Sequence, residues 1–131
     1  MNNLCYPALF SKWDFQLVKA LLTLQELMEL IEARRDQPPE NSYTATLLAG
    51  GIDRIGEKLT EEVAEVVSAA ATVDGSEPRR EEVVHEAADL IYHLFVLLAF
   101  SRVDLDEVSA ELRSRFGTSG LKEKASRKRQ P

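Results

Sequence analysis

Two long segments with a helical period, joined by a turn of a few residues, constrain this chain more than any other feature. Apolar residues recur at three- and four-residue steps over residues 52–73, which predicts an amphipathic helix. This stripe comprises Ile52, Ile55, Leu59, Val63, Val66 and Ala70. Asp74-Gly75-Ser76 is turn chemistry, and Pro78 suits the first turn of a helix that reaches about residue 100. Because the turn is short, the two helices must pack antiparallel.

The remainder of the chain also favours helices. A first helix is predicted over residues 14–35, and the prolines at 38 and 39 end it. Its apolar positions are Leu24, Leu27, Met28 and Ile31. A short helical stretch over residues 45–49 is broken by Gly50-Gly51. Strand patterns are nearly absent, so the predicted fold is all-α, with four to five helices around the antiparallel central pair.

The last predicted helix starts at Asp104, which has capping-box spacing to Glu107. We expect its apolar side chains to face inward and Gly117 to cap its C-terminus. These side chains are Leu105, Val108 and Leu112.

The length of 131 residues predicts one domain. We assign residues 1–22 to an N-terminal extension of unknown role, 23–117 to the helical domain and 118–131 to a basic tail. The tail is expected to be solvated and partly disordered from residue 121. A core of this size is modest, so association with a second copy would add stability.

Composition narrows the class of protein. Cys5 is the only cysteine, which excludes an internal disulfide and fits a reducing compartment. The first residues do not read as a signal peptide, and the longest uninterrupted apolar run, residues 94–100, is too short to span a bilayer. A net charge of −6 argues against nucleic-acid binding by bulk electrostatics. We therefore expect a soluble cytoplasmic protein that binds neither membranes nor nucleic acids.

Two pairs of carboxylates lie at matched positions on the central helices. Glu62 and Glu65 are three residues apart, as are Glu86 and Asp89, so each pair shares one face of its helix. Glu62 and Asp89 are equally far along the chain from the turn, and so are Glu65 and Glu86. In an antiparallel pair, the four carboxylates therefore meet at one level, about 15 Å from the turn.

A cluster of this kind favours a bound cation. Two unit charges about 5 Å apart repel by about 3 kcal/mol at an effective dielectric constant of about 20. Asp89 is the only carboxylate in residues 87–100, an almost wholly apolar stretch that should be buried on several sides, and an unpaired buried charge is costly. All-oxygen ligands favour Mg²⁺, with Mn²⁺ as the alternative. The simpler interpretation is a solvated acidic helix face.

Two further residues share this level of the helix pair. Lys58 either meets a substrate phosphate or forms an ion pair with Glu62 four residues on. His93 either donates a hydrogen bond that orients Asp89 or is an ordinary core histidine. His85 and Glu61 look peripheral, although Glu61 could assist a ligand.

The two carboxylate pairs form the broad pattern Glu62-x-x-Glu65 followed by Glu86-x-x-Asp89. Four longer stretches are more specific: residues 39–44 (Pro-Glu-Asn-Ser-Tyr-Thr), 58–67 (Lys-Leu-Thr-Glu-Glu-Val-Ala-Glu-Val-Val), 86–94 (Glu-Ala-Ala-Asp-Leu-Ile-Tyr-His-Leu) and 115–125 (Arg-Phe-Gly-Thr-Ser-Gly-Leu-Lys-Glu-Lys-Ala). With these motifs the sequence resembles the phosphoribosyl-ATP pyrophosphohydrolases, within the MazG-like all-α nucleoside triphosphate pyrophosphohydrolases. The resemblance covers residues 23–128.

The resemblance implies hydrolysis of phosphoribosyl-ATP to phosphoribosyl-AMP and pyrophosphate, the second step of histidine biosynthesis. It also implies that two protomers complete a helical bundle, as a homodimer or a higher homo-oligomer. The chain would be the stand-alone form of an activity that is often fused to the next enzyme.

These expectations combine into a mechanistic hypothesis. The ligands of Mg²⁺ are Glu62, Glu65, Glu86 and Asp89. Glu61 or Glu65 takes a proton from the attacking water, and Lys58 neutralises the leaving pyrophosphate. The segment Ser42-Tyr43-Thr44, together with Lys58 and His93, is the candidate substrate contact, although residues 42–44 read equally well as a helix N-cap.

Two rival functions are compatible with the pattern. A housekeeping pyrophosphatase acting on damaged or surplus deoxynucleotides would use the same carboxylates. A non-catalytic helical module that binds a partner protein would need no metal.

Overall fold

The computed structural model describes residues 12–116 and 120–128, and within these ranges all regular secondary structure is helical. The six helices are α1 (Lys12–Asp36), α2 (Tyr43–Ala49), α3 (Gly51–Ala71), α4 (Glu77–Phe100), α5 (Leu105–Ser114) and α6 (Gly120–Arg127). The all-α prediction is confirmed. Cys5 and the proposed capping residue Gly117 lie outside the described residues.

The helices α3 and α4 form the central pair of the molecule, as expected. Thr72 caps the end of α3, and the backbone N–H of Ser76 donates to Asp74 Oδ1 at 2.9 Å. Gly75 has a φ of 86°, in the left-handed region that favours glycine. This tight reversal brings α4 back along α3 in the antiparallel direction.

The core lies where α1, α2, α3 and α4 meet. Its buried members are Met28, Ile31, Leu47, Ile55, Phe95, Val96 and Ala99. The predicted inward face of α1 is confirmed, since Leu24 and Leu27 pack against this cluster. On the next element, the N-cap residue Ser42 starts α2 at Tyr43, two residues before the predicted start.

The predicted apolar stripe of α3 is wrong in part. The inward face carries Ile55, Leu59, Glu62, Val66 and Ala69, whereas Ile52, Val63 and Ala70 are exposed. The predicted stripe and the observed inward face overlap on this helix. The face that packs against α4 is the one that contains a carboxylate. This packing places Glu62 in the interior.

α4 is buried on the side that faces α1, α2 and α3, through His93, Phe95, Val96 and Ala99. The expected burial on several sides is not present in the single chain, because Val84, Ile91 and Leu94 are exposed. By length and composition α4 could cross a membrane. This is weak evidence for a membrane span, because a core helix passes the same test and α4 packs against α1, α2 and α3.

The C-terminal elements differ from expectation in two respects. The capping box of Asp104 and Glu107 is present and starts α5, but Leu112 is exposed instead of facing inward. The tail is not irregular over residues 120–127, where α6 forms from residues with good helix propensity. The expected solvation is observed for residues 124–128, which are exposed.

Candidate metal centre

Three glutamates of the central pair meet at one level. Glu62 and Glu65 project from α3 and Glu86 from α4, and one carboxylate oxygen of each lies within 4.8 Å of the others. The matched distances from the turn predicted this encounter, because helical rise and antiparallel packing fix which residues face each other.

The cluster contains buried oxygen atoms without hydrogen-bond partners. Glu62 is only 6% exposed, and its Oε2 atom accepts no hydrogen bond from the part of the chain that the structure describes. The Oε2 atom of Glu86 is likewise buried and unpaired. A buried polar atom without a partner costs about 1–3 kcal/mol, and more when it is charged. The two atoms therefore fit a cation that would satisfy both.

The electrostatics of the cluster agree with that fit. Burial, followed by the neighbouring charge of Glu65, raises the pKa of Glu62. A hydrogen bond with Glu65, followed by desolvation, raises the pKa of Glu86. Both shifts oppose full ionisation of the apo-protein, and a divalent cation beside the carboxylates reverses this effect.

Asp89 lies at the edge of the cluster. Its side chain is 41% exposed, so the prediction that Asp89 is a buried unpaired charge is wrong. The buried carboxylate is Glu62 instead. Asp89 Oδ2 lies 3.4 Å from His85 Nε2. Ligand atoms of His85, Glu86 and Asp89 also lie within 4.8 Å of one another. His85, which looked peripheral, could have been found by its four-residue spacing from Asp89.

Lys58 is paired with Glu61 and not with Glu62. The Lys58 Nζ atom donates to Glu61 Oε2 at 2.7 Å. This hydrogen bond raises the pKa of Lys58 and lowers the pKa of Glu61. Glu61 is thus a weak proton acceptor whose carboxylate is already engaged, which makes it a poorer candidate for the general base than Glu65.

His93 is a buried residue that joins the cluster to α2. Its Nδ1 atom lies 2.7 Å from the backbone carbonyl oxygen of Asp89 and 3.7 Å from Glu62 Oε1. Its Nε2 atom lies 3.3 Å from the Tyr43 hydroxyl. Since the ring is buried and both nitrogens have partners, the structure favours support of Glu62 over the expected substrate contact.

The three residues of the segment 42–44 have different surroundings and different roles. Ser42 Oγ accepts from the backbone N–H of Ala45 at 3.2 Å, which is the N-cap interpretation. Thr44 is 1% exposed, which argues against the predicted direct contact with a substrate in this conformation. Its hydroxyl is engaged by Tyr92 and Arg34. Tyr43 is 52% exposed beside His93 and remains available to a ligand.

Stability should respond to Mg²⁺ more strongly at high pH than at low pH. The pKa values of Glu62 and Glu86 lie above their ordinary value of 4.5 in the folded state. Between 4.5 and those raised values the folded chain binds more protons than the unfolded chain, so the apo-protein loses stability as pH rises. If Mg²⁺ binds the ionised carboxylates, as we expect, it recovers the lost stability. Thermal unfolding at about pH 5 and pH 8, with and without Mg²⁺, measures the difference. An equal response at both pH values would contradict this account.

Comparison with known proteins adds independent information. A family model described as phosphoribosyl-ATP pyrophosphohydrolase matches residues 24–116. This range contains the whole carboxylate cluster, His93 and the segment 42–44.

Curated relatives carry a matching name. A protein of Rhodopirellula baltica named phosphoribosyl-ATP pyrophosphatase is 49% identical over 109 residues, which cover 83% of this chain and 89% of the relative. Proteins of the same name from Geobacter metallireducens and Erythrobacter litoralis are 50% and 52% identical. Those two alignments cover 79% and 80% of this chain, and 91% and 96% of the relatives. The chain is therefore similar to these proteins over nearly their full length.

Proposed function

Since this chain belongs to the phosphoribosyl-ATP pyrophosphohydrolase family, we propose that it hydrolyses phosphoribosyl-ATP to phosphoribosyl-AMP and pyrophosphate in a Mg²⁺-dependent reaction. The observation that carries the proposal is the cluster of Glu62, Glu65 and Glu86, with its unpaired buried oxygens, inside the range that the family model matches. The reaction is the second step of histidine biosynthesis, and the cytoplasm is its compartment.

The residues of the cluster fit a hard cation. Glu62, Glu65 and Glu86 would hold Mg²⁺ with Asp89 at the edge, and Mn²⁺ would satisfy the same oxygens. When bound, Mg²⁺ supplies positive charge that offsets the charge of a triphosphate and favours attack on phosphorus. Glu62 is held for this task by burial, with His93 behind it.

The side chains around the cluster would transfer the proton, neutralise the leaving group and contact the nucleotide. Water attacks the phosphorus that stays on the nucleotide, and the bond to the leaving pyrophosphate breaks. Glu65, exposed and free of a basic partner in the hydrogen bonds of the described residues, takes the proton from water. Lys58, kept cationic by Glu61, neutralises charge on the leaving pyrophosphate. The exposed ring of Tyr43 offers a surface for the nucleotide.

Pyrophosphate release from phosphoribosyl-ATP, with Mg²⁺ or with EDTA, tests the proposal directly. We expect release that requires Mg²⁺ and strongly prefers phosphoribosyl-ATP over a panel of ordinary NTPs and dNTPs. Metal-dependent release from a dNTP instead would support the metal-binding role of the carboxylates and contradict the proposed substrate. No release from any nucleotide, with no effect of Mg²⁺ on stability, would favour a non-catalytic helical module.

A second copy of the chain is the partner that we propose for the exposed apolar faces of the central pair. Val63 and Val67 on α3 lie one turn apart and are exposed. Val84 and Ile91 on α4 lie two turns apart and are also exposed. Packing these stripes against a second protomer would complete a helical bundle.

Sedimentation equilibrium should give at least twice the mass of the chain, and Val67→Glu should shift the species toward the monomer. A monomeric wild-type protein at about 100 μM, far above typical dissociation constants of stable dimers, would contradict the proposed assembly.

A further inference from the structure

A buried hydrogen-bonded chain lies behind the metal centre and joins three helices. Thr44, in the first turn of α2, is fully buried, and its hydroxyl forms a hydrogen bond with the hydroxyl of Tyr92 on α4. Arg34, on α1, extends Nη1 to the same threonine oxygen at 3.5 Å. The hydrogen bonds of Thr44 with Tyr92 and with Arg34 join these groups to one another and not to a carboxylate, so their position calls for an explanation other than metal binding.

Three aromatic rings, those of Tyr43, Tyr92 and His93, connect this hydrogen bond to the metal centre by direct contacts. The rings of Tyr43 and Tyr92 stack with centroids 6.4 Å apart and planes inclined by 18°. The His93 ring meets Tyr92 edge-on at 5.0 Å and Tyr43 edge-on at 6.2 Å. Stacked and edge-to-face arrangements are the preferred geometries of aromatic pairs. The Tyr92 ring, whose hydroxyl is bound to Thr44, therefore contacts both Tyr43 and His93 in favourable geometry.

The hydrogen bonds of His93 select one tautomer of the ring. A backbone carbonyl can only accept, so His93 Nδ1 must carry the hydrogen that points at the Asp89 carbonyl, 2.7 Å away. In the neutral ring Nε2 is then an acceptor, and it receives the hydroxyl hydrogen of Tyr43 at 3.3 Å. Tyr43 thus supplies the partner of Nε2, and with the Asp89 carbonyl on Nδ1 it holds the ring at its two nitrogens beside Glu62.

We propose that Thr44 and Tyr92 are positioning residues for this site: their mutual hydrogen bond pins the first turn of α2 to α4, holds the Tyr43 hydroxyl on His93 Nε2 and so keeps His93 beside Glu62. Neither residue touches the substrate. The kinetic consequence rests on the proposed function, whereas the structural consequence does not.

Nitrogen NMR of the two histidines tests the positioning role without turnover. His85→Gln identifies the His93 signals. Thr44→Val and Tyr92→Phe, which remove one hydroxyl each, should move the Nε2 resonance of His93 in the same direction as Tyr43→Phe does. Thr44→Ser, which keeps the hydroxyl, should restore the wild-type value. Thr46→Val is the matched control, because Thr46 lies on the exposed side of α2 and its hydroxyl donates to the Ser42 carbonyl of the same helix start.

An unchanged Nε2 resonance in both Thr44→Val and Tyr92→Phe, together with a shift in Tyr43→Phe, would overturn the proposal. Tyr92→Phe keeps the ring and its packing, so this comparison survives even where Thr44→Val unfolds the chain.

Turnover gives the second readout. Tyr92→Phe and Tyr43→Phe should each lower kcat about tenfold, as is typical of residues that orient ligands of a metal. The double variant should lose no more kcat than either single variant, because both act through His93. Additive losses in kcat, or an unchanged kcat with only a lower unfolding temperature, would make the hydrogen bond merely structural. A wild-type protein that releases no pyrophosphate would refute the proposed substrate, and the resonance of His93 would still decide the positioning role.

Discussion

Glu62→Gln should lower the rate of pyrophosphate release by about a thousandfold or more, a loss of about 4 kcal/mol of transition-state stabilisation. Glu62 is the most buried carboxylate of the cluster, and its Oε2 atom, which has no hydrogen-bond partner among the described residues, would coordinate the cation that we propose. The amide has nearly the same shape but no charge. Steady-state assays at saturating Mg²⁺ measure the loss.

The same substitution should leave the apo-protein at least as stable as the wild type. The amide removes one of three crowded carboxylates, and burial no longer opposes an ionised group. Glu57→Gln is the matched control, because Glu57 is an exposed glutamate of the same helix that pairs with Arg54. Its turnover and thermal unfolding should match the wild type. Wild-type turnover in Glu62→Gln would remove the cluster from the mechanism.

Ile55→Ala should lower the free energy of unfolding by about 2–5 kcal/mol. Ile55 is fully buried at the centre of the core, where α1, α2 and α4 meet α3. Truncation removes apolar contacts and leaves a cavity that well-packed neighbours cannot fill. Because a domain of this size is stable by only about 5–15 kcal/mol, the loss is a large share of the total.

Ile52→Ala supplies the matched control for this experiment. Ile52 lies one turn earlier on the same helix and is 50% exposed, so its truncation should cost less than about 1 kcal/mol. Urea unfolding of both variants gives the two values. Equal losses would mean that α3 turns the apolar face containing Ile52 toward the core, contrary to the packing described above.

The architecture of the central pair followed from local chemistry. The turn at residues 74–76 and the helical period on both sides require antiparallel packing, and helical rise then places Glu65 opposite Glu86. No long-range information is needed for this step. The fold class and the glutamate cluster were predictable for that reason.

Packing choices between distant residues were not predictable in the same way. α3 carries two overlapping apolar stripes, and only contact with α4 determines that Val63 is exposed while Glu62 is buried. The burial of Thr44 depends on Tyr92, far along the chain, so the local pattern around residue 44 reads as an ordinary N-cap. Lys58 had two acidic neighbours at helical spacing, and rotamer choice selected Glu61.

The carboxylates all lie within one helical hairpin, α3 and α4, whose two arms are joined by a tight turn. Contacts between segments so near in sequence form early in folding, because little chain entropy is lost in closing a short loop. We therefore expect the acidic groups to approach one another before α1 closes over the core. Their repulsion would then slow the first committed step of folding, and the refolding rate of this protein should rise with Mg²⁺ concentration.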